Sequence, residues 1–247
     1  MAHPRPVRAG ARLLPALLVL ACAGAQPTPS PTTSTTTPPT AEPAASASPG
    51  TAGSSAGASA SVDPRGLPFP TADGQELDLG TYVSSPPFDV DFTFEIAEPG
   101  WESLHLIGEF FDVVRWDGPG RTGAPPRSLA FGHPERVRGE TDVPVAGLTP
   151  AAAVEILAGR DDLVVGSPGP FQLDGRDGLV LDLQAAAQGT VLFGGERGDL
   201  GIGPDRDVRL GIIPLDSDLL FVVVSAVPGQ VDAAWDEAEP ILESIDL

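Results

Sequence analysis

Leu219-Leu-Phe-Val-Val-Val-Ser225 follows directly on Asp216-Ser217-Asp218. A run that is apolar at odd and even positions alike has no solvent face. It therefore reads as a central strand, covered on both sides of its sheet. The three polar residues before it supply a turn, and Val208 to Pro214 on the near side of that turn read as a further strand.

Working outward, the same kind of signal recurs in both directions. Val90 to Ile96 alternates apolar and polar residues at period two, the pattern of a half-buried strand. Pro99-Gly100 turns the chain, and Trp101 to Ile107, Phe110 to Trp116 and Arg127 to Gly132 read as the next strands. Gly118 to Pro126 reads as a loop and Glu135 to Gly147 as irregular. Further strands are expected at Leu163 to Val165, Phe171 to Leu173, Leu179 to Leu183 and Thr190 to Phe193. Asp174-Gly175 and Asp177-Gly178 are expected to form the turn between the second and third of these.

Two helices punctuate the strands. Thr149 suits an N-cap and Pro150 the first helical position, with Ala151 to Ala158 following and Gly159 as a stop. Near the other end, Gln230 to Ser244 places Val231, Ala234, Trp235, Ala238, Ile241 and Leu242 on one face. Asp232, Asp236, Glu237 and Glu239 lie on the opposite face, and Pro240 should kink the helix or end its first segment. Strands, a helix, more strands and a closing helix describe an α+β domain: a mostly antiparallel sheet with a mid-chain and a C-terminal helix. A β-sandwich with accessory helices is the alternative.

Ahead of the domain the composition changes. From Ala23 to Ser61, 37 of 39 residues are Ala, Gly, Pro, Ser or Thr, so the segment cannot bury enough apolar area to offset its ordering entropy. Residues 22–65 are therefore expected to be a disordered tether and 66–247 a single globular domain. Between Val62 and Gly80, Leu67, Phe69, Leu77 and Leu79 should lay an extended arm onto that domain. Ahead of the tether, Arg5, Arg8 and Arg12 lead into an apolar run ending Val19-Leu20-Ala21-Cys22. The run is too short for a spanning helix, which needs roughly 20 residues, and has the length of a secretory signal. Its end resembles a bacterial lipobox, so residues 1–21 are expected to be a lipoprotein signal peptide and Cys22, the chain's single cysteine, the acylated residue. The location that follows is the extracytoplasmic face of the cell membrane.

Composition excludes several chemistries. With no Lys there is no Schiff base and no phosphate-binding lysine, and with the one thiol acylated there is no disulfide or thiolate metal site. Residues 66–247 hold 32 acids against 10 arginines, a formal charge of −22 that repels phosphate backbones. Nucleic acid is not an expected partner, and membrane contact belongs to the acyl chains on Cys22.

The segments Gly100-Trp101, Asp174-Gly175 with Gly178, and the final helix from Trp235 into Glu243-Ser244-Ile245 resemble secreted actinobacterial lipoproteins of unassigned function. More distantly they resemble the Mog1/PsbP-like fold, which includes mycobacterial lipoproteins of the LpqN type. The resemblance spans roughly Tyr82 to Leu247. It implies an antiparallel sheet between helices and a binding or accessory role, and it transfers no functional residue.

Candidate chemistry is sparse. His105 and His133 are the histidines left after processing; without an HExxH spacing they read as surface or strand-edge residues. Asp205, Asp207, Asp216 and Asp218 form two acidic turns with oxygen ligands of the kind calcium takes, although the EF-hand spacing is absent. Arg197-Gly198-Asp199 matches an adhesion tripeptide but reads as a turn between strands. Trp101, Trp116 and Trp235 are expected in the core or at its edge. A carboxylate pair for glycoside hydrolysis is not readable from sequence.

The leading functional expectation is a lipid-anchored, monomeric extracytoplasmic binding or accessory module without a cofactor, contacting an envelope protein or a small ligand. The alternative is an extracellular hydrolase using carboxylates or His with a metal.

Overall fold

The computed structural model describes residues 65–84, 86, 88–107, 109–116 and 127–247, with the backbone alone for 105–107. Among the described residues fifteen strands and two helices occur in order. They are β1 (Leu67–Pro68), β2 (Gly80–Val83), β3 (Thr93–Ile96), β4 (Trp101–Ile107), β5 (Phe110–Arg115), β6 (Arg127–Gly132), β7 (Arg136–Val137) and β8 (Val143–Pro144). Then come α1 (Pro150–Ala158), β9 (Leu163–Val165), β10 (Gly169–Leu173), β11 (Arg176–Ala185), β12 (Thr190–Gly194), β13 (Asp199–Ile202), β14 (Asp207–Pro214), β15 (Leu219–Ala226) and α2 (Val231–Glu243).

The principal sheet is antiparallel and runs β10-β11-β14-β15-β6-β5-β4, with β9 also pairing to β11. Strand β15 is central, between β14 and β6, and its side chains alternate between two cores: Leu220, Val222 and Val224 face one, Leu219, Phe221 and Val223 the other. An all-apolar run needs a cover on both faces, and the chain supplies two. The small sheet β1-β2-β3 and α2 cover the first face, through Phe94, Ala238 and Ile241 among others. Helix α1 and the sheet β13-β12-β7-β8 cover the second, through Leu157, Val137 and Phe193. The architecture is α+β with a mid-chain and a C-terminal helix, as the order of elements implies.

The helix signals act as expected. The Thr149 hydroxyl accepts from the Ala152 N–H at 3.2 Å, Pro150 opens α1, and the Gly159 N–H closes it on Glu155. Helix α2 buries Ala234, Ala238, Ile241 and Leu242, with Trp235 half-buried. Pro240 departs from expectation: it does not end a first segment, and the helix runs through it to Glu243; the lost hydrogen bond falls on the solvent side, where Asp236 and Pro240 are exposed.

Other expectations need correction. Strand β3 begins at Thr93 and not at Val90; Phe92 adds one rung beyond it, its carbonyl accepting from the Ser84 N–H at 2.9 Å, while Val90 and Asp91 precede the strand. Glu135 to Gly147 holds two short strands, β7 and β8. Asp174-Gly175 alone makes the β10–β11 turn, with φ of 47° and 71° in succession, the primed geometry that matches strand twist. Asp177 and Gly178 are already in β11, where a Cβ on Gly178 would overlap the Ile212 carbonyl of β14. The glycine permits a close approach of strands and makes no turn. Of the arm residues, Phe69 and Leu77 are buried while Leu67 and Leu79 stay exposed, at 42 and 60%. Residues 1–64, including Cys22 and nearly all of the tether, and the expected loop at 118–126 lie outside the described residues.

Candidate ligand-binding site

Where β5 begins, β6 ends and β15 begins, the principal sheet meets the β12–β13 turn around a cavity of about 440 Å³. Glu109 stands one residue before β5, and its carbonyl accepts from the His133 N–H at 2.7 Å, extending the β5–β6 ladder past Gly132. That bond fixes His133 opposite Glu109. Asp218, the last residue of the turn before β15, reaches the same place because Phe221 pairs with Gly132 across β15 and β6. Asp89 arrives from the loop between β2 and β3. The loop is pinned by the buried Ser84, whose hydroxyl donates to the Val90 carbonyl at 2.6 Å and accepts from the Phe92 N–H at 3.0 Å. From the opposite side, Gly195 to Gly198 close the β12–β13 turn by an N–H to carbonyl bond of 2.9 Å and present Glu196 and Arg197.

His133 is held between two carboxylates. Its Nδ1 lies 2.8 Å from Asp89 Oδ1, and its Nε2 lies 3.8 Å from Asp218 Oδ2. A carboxylate only accepts, so Asp89 places the ring proton on Nδ1 and turns Nε2 toward Asp218. Asp218 in turn accepts from the Ser217 hydroxyl at 3.1 Å. His133, Asp89 and Asp218 also border a second hollow of about 340 Å³ on their other side, toward Arg176 and Asp216.

Glu109 is buried, at 9% exposure. Its Oε1 accepts from the Arg197 N–H at 3.1 Å, while Oε2 has no hydrogen-bond partner among the described residues. Room for the side chain exists because residue 195 is glycine: a Cβ there would stand 2.5 Å from Glu109 Cδ. With Glu135, five carboxylates and one arginine side chain line the cavity beside His133, so the lining is strongly negative at neutral pH.

The residues singled out in the sequence fall in different places. His133 stands just past the end of β6 and lines this cavity. His105 is on β4, with its side chain outside the described residues. The two acidic turns sit at opposite ends of β14, a separation on the order of 25 Å for eight residues of strand. At one end both Asp207 oxygens are engaged, by Gln184 at 2.8 Å and by the Gly229 N–H at 2.7 Å. At the other, Asp216 is exposed and Asp218 has joined His133. Among the described residues no group of three His, Cys, Asp or Glu side chains is arranged to hold a metal ion.

Arg197-Gly198-Asp199 does lie at the β12–β13 turn, and Asp199 is paired with Arg138 at 2.8 Å. Trp101 is buried, and Trp235 packs edge-on to Phe171 with Arg209 5.6 Å over its ring. Asp182 and Asp232 anchor that Arg209, each at 2.7 Å, and raise its already high pKa, Asp182 most.

Glu109 and Asp89 drew no notice in the sequence. Each is an ordinary acid among 32, and they meet His133 only through sheet pairing and a loop pin. The one local sign was Gly194-Gly195, two glycines ahead of a turn, which mark where Arg138 and Glu109 press against the backbone.

No protein-family model matches the chain, and no curated protein sequence matches it. Among solved structures the fold is similar to that of the cyanobacterial PsbP protein CyanoP from Synechocystis sp. PCC 6803. That likeness has 13% sequence identity and a TM-score of 0.38, over 68% of this chain and 92% of that one. It is also similar to LpqN of Mycobacterium tuberculosis, a protein involved in cell envelope biogenesis, at 12% identity and a TM-score of 0.30, over 73% of this chain and 87% of that one.

Proposed function

We propose that the chain is a lipid-tethered binding module outside the cytoplasmic membrane, and that the cavity at Glu109 and His133 is its binding site. The observation that carries this reading is convergence. Polar side chains from four separate segments, at Asp89, Glu109, His133 and Asp218, meet at one hollow of about 440 Å³, a size that suits a small ligand or one partner side chain. The lipobox-like end at Cys22 and the Ala/Pro/Ser/Thr-rich stretch after it support delivery on a stalk.

Two measurements test the two halves of the reading. Cys22→Ser should release the protein from the membrane fraction or leave it unprocessed; unchanged fractionation and mass would remove the anchor. A photo-crosslinker at Glu135, on the cavity, should capture a discrete envelope adduct that one at the exposed Val164 of β9 does not. Equal labelling from both positions would remove the site.

The second reading, a hydrolase, is favoured by one contact. Asp89 orients His133 through Nδ1 as it would orient a general base, leaving Nε2 facing Asp218 across 3.8 Å. Turnover of an ester, peptide or glycoside substrate that His133→Ala abolishes would establish it; activity untouched by that change would remove it.

A further inference from the structure

We propose that the cavity binds an organic cation, an alkylammonium or guanidinium group, seated against the Glu109 carboxylate; this rests on the reading of the cavity as the binding site. Three observations lead to the charge of the ligand. Glu109 is 9% exposed, and its Oε2, itself closed off from solvent, meets no donor among the described residues. Among the described residues its carboxylate has one hydrogen bond, from the neutral backbone N–H of Arg197. A carboxylate taken out of water needs a positive charge or several donors to offset its lost hydration, and one amide supplies neither. The remaining wall deepens the negative potential. Asp89 and Asp218 flank His133, and Glu196 adds another carboxylate, against the exposed side chain of Arg197.

The backbone is shaped to keep Glu109 there. With any side chain at Gly195, a Cβ would stand 2.5 Å from both Cγ and Cδ of Glu109 and expel the carboxylate from its seat. The chain thus gives up a side chain at a strand end to admit an under-compensated acid, which structural packing alone would not require.

Two further observations select an organic cation over a metal ion. No set of three acidic or imidazole side chains among the described residues converges at ligand distance. The cavity is also far larger than an ion, and Pro134 and Ala146 give it an apolar wall suited to the methylene stem behind a charged head. Free diamines and the side chains of Lys or Arg share this chemistry.

The test is amide NMR of the full ¹⁵N-labelled chain, titrated at constant ionic strength with butylammonium, butylguanidinium and, as the anionic control, butyrate. The two cations should shift the Gly195 and Arg197 amides saturably, and butyrate should not. Glu109→Gln keeps the acceptor for the Arg197 N–H and removes the charge; it should weaken cation binding tenfold or more. Glu196→Gln, at an exposed position where folding is not at stake, should weaken it two- to threefold. Cadaverine and a capped lysine amide separate the sources. Tighter binding of the diamine than of butylammonium assigns a free polyamine, tighter binding of the capped lysine assigns a protein side chain, and either result upholds the cation.

Unchanged affinity in Glu109→Gln overturns the proposal. If that variant does not fold, unchanged affinity in Glu196→Gln overturns it instead. Saturable shifts with butyrate and none with the cations would refute the cation while leaving the cavity a binding site. No shift with any of these probes refutes the proposal, and the binding-site reading then stands or falls on the crosslinks.

Discussion

Asp162 shows how one side chain can fasten three segments. Arg160 donates to it twice, Nε to Oδ1 at 2.8 Å and Nη2 to Oδ2 at 2.6 Å, and the Thr190 hydroxyl donates to Oδ2 as well. The same guanidinium reaches the carbonyls of Arg138 at 2.9 Å and Val191 at 2.6 Å. The end of α1 is thereby tied to β12 and to the chain following β7. Arg160 first, and Thr190 after it, hold the Asp162 carboxyl down at about 2. A folded pKa below the unfolded value of about 3.9 means stability that is present above pH 4 and lost as pH falls toward 2. Because the carboxylate is half exposed, at 54%, screening reduces its worth to about 1 kcal/mol. Asp162→Asn should cost that much at pH 7, and urea titrations of the two proteins should converge between pH 4 and pH 2. A gap that persists at pH 2 would mean the contact acts through shape and not charge.

Elements differ in how openly the sequence declares them, and the reason is the range of the forces that make them. Helix α1 is declared within eleven residues: Thr149 caps, Pro150 starts and Gly159 stops it. Thr149→Ala should therefore cost about 1 kcal/mol in a chemical melt, the usual worth of an N-cap; a change below about 0.3 kcal/mol would mean tertiary packing sets that boundary. Strand β15 is equally open, since six consecutive buried residues have one explanation. By contrast β7 and β8 have two residues each, too few to carry any period, and exist because Arg136 and Val137 find β12 and β8 beside them. Asp177-Gly178 has turn composition, yet the preceding Asp174-Gly175 has already made the turn, and the later glycine serves strand contact. The candidate site belongs with the hidden features. His133 and Asp218 were visible as residue types, but their meeting with Asp89 depends on the Ser84 pin, a contact made across the loop itself. Ser84→Ala should cost about 1–2 kcal/mol, because the buried Phe92 N–H and the Val90 carbonyl lose their partner. It should also loosen the 2.8 Å Asp89–His133 contact, visible as broadening of the His133 imidazole signals by NMR. Sharp, unshifted imidazole signals would show that Asp89 is held by something other than the pin.

At the scale of the whole molecule the acid excess sets the balance between pairing and repulsion. The ten arginines of residues 66–247 cannot pair with more than a fraction of the 32 acids. Several described arginines already serve two carboxylates: Arg138 binds Asp142 and Asp199, and Arg209 binds Asp182 and Asp232. The remaining acids repel one another through solvent, over a Debye length of about 30 Å at 0.01 M salt and about 8 Å at 0.15 M. Salt weakens both terms, but the surface pairs are each worth little, whereas net charge far from zero destabilises the compact state as a whole. Repulsion should win. Raising NaCl from 10 to 150 mM is expected to stabilise the full chain by about 1 kcal/mol, a rise of roughly 2–4 °C in melting temperature for a domain of this size. A fall would mean that the arginine pairs outweigh the self-repulsion. Calcium chloride at matched ionic strength separates screening from site binding. An increment beyond that of NaCl, removed by Asp216→Asn and Asp218→Asn together but not by Asp205→Asn, would locate calcium at the β14–β15 turn. An equal rise in both salts means that the acidic turns respond to ionic strength alone.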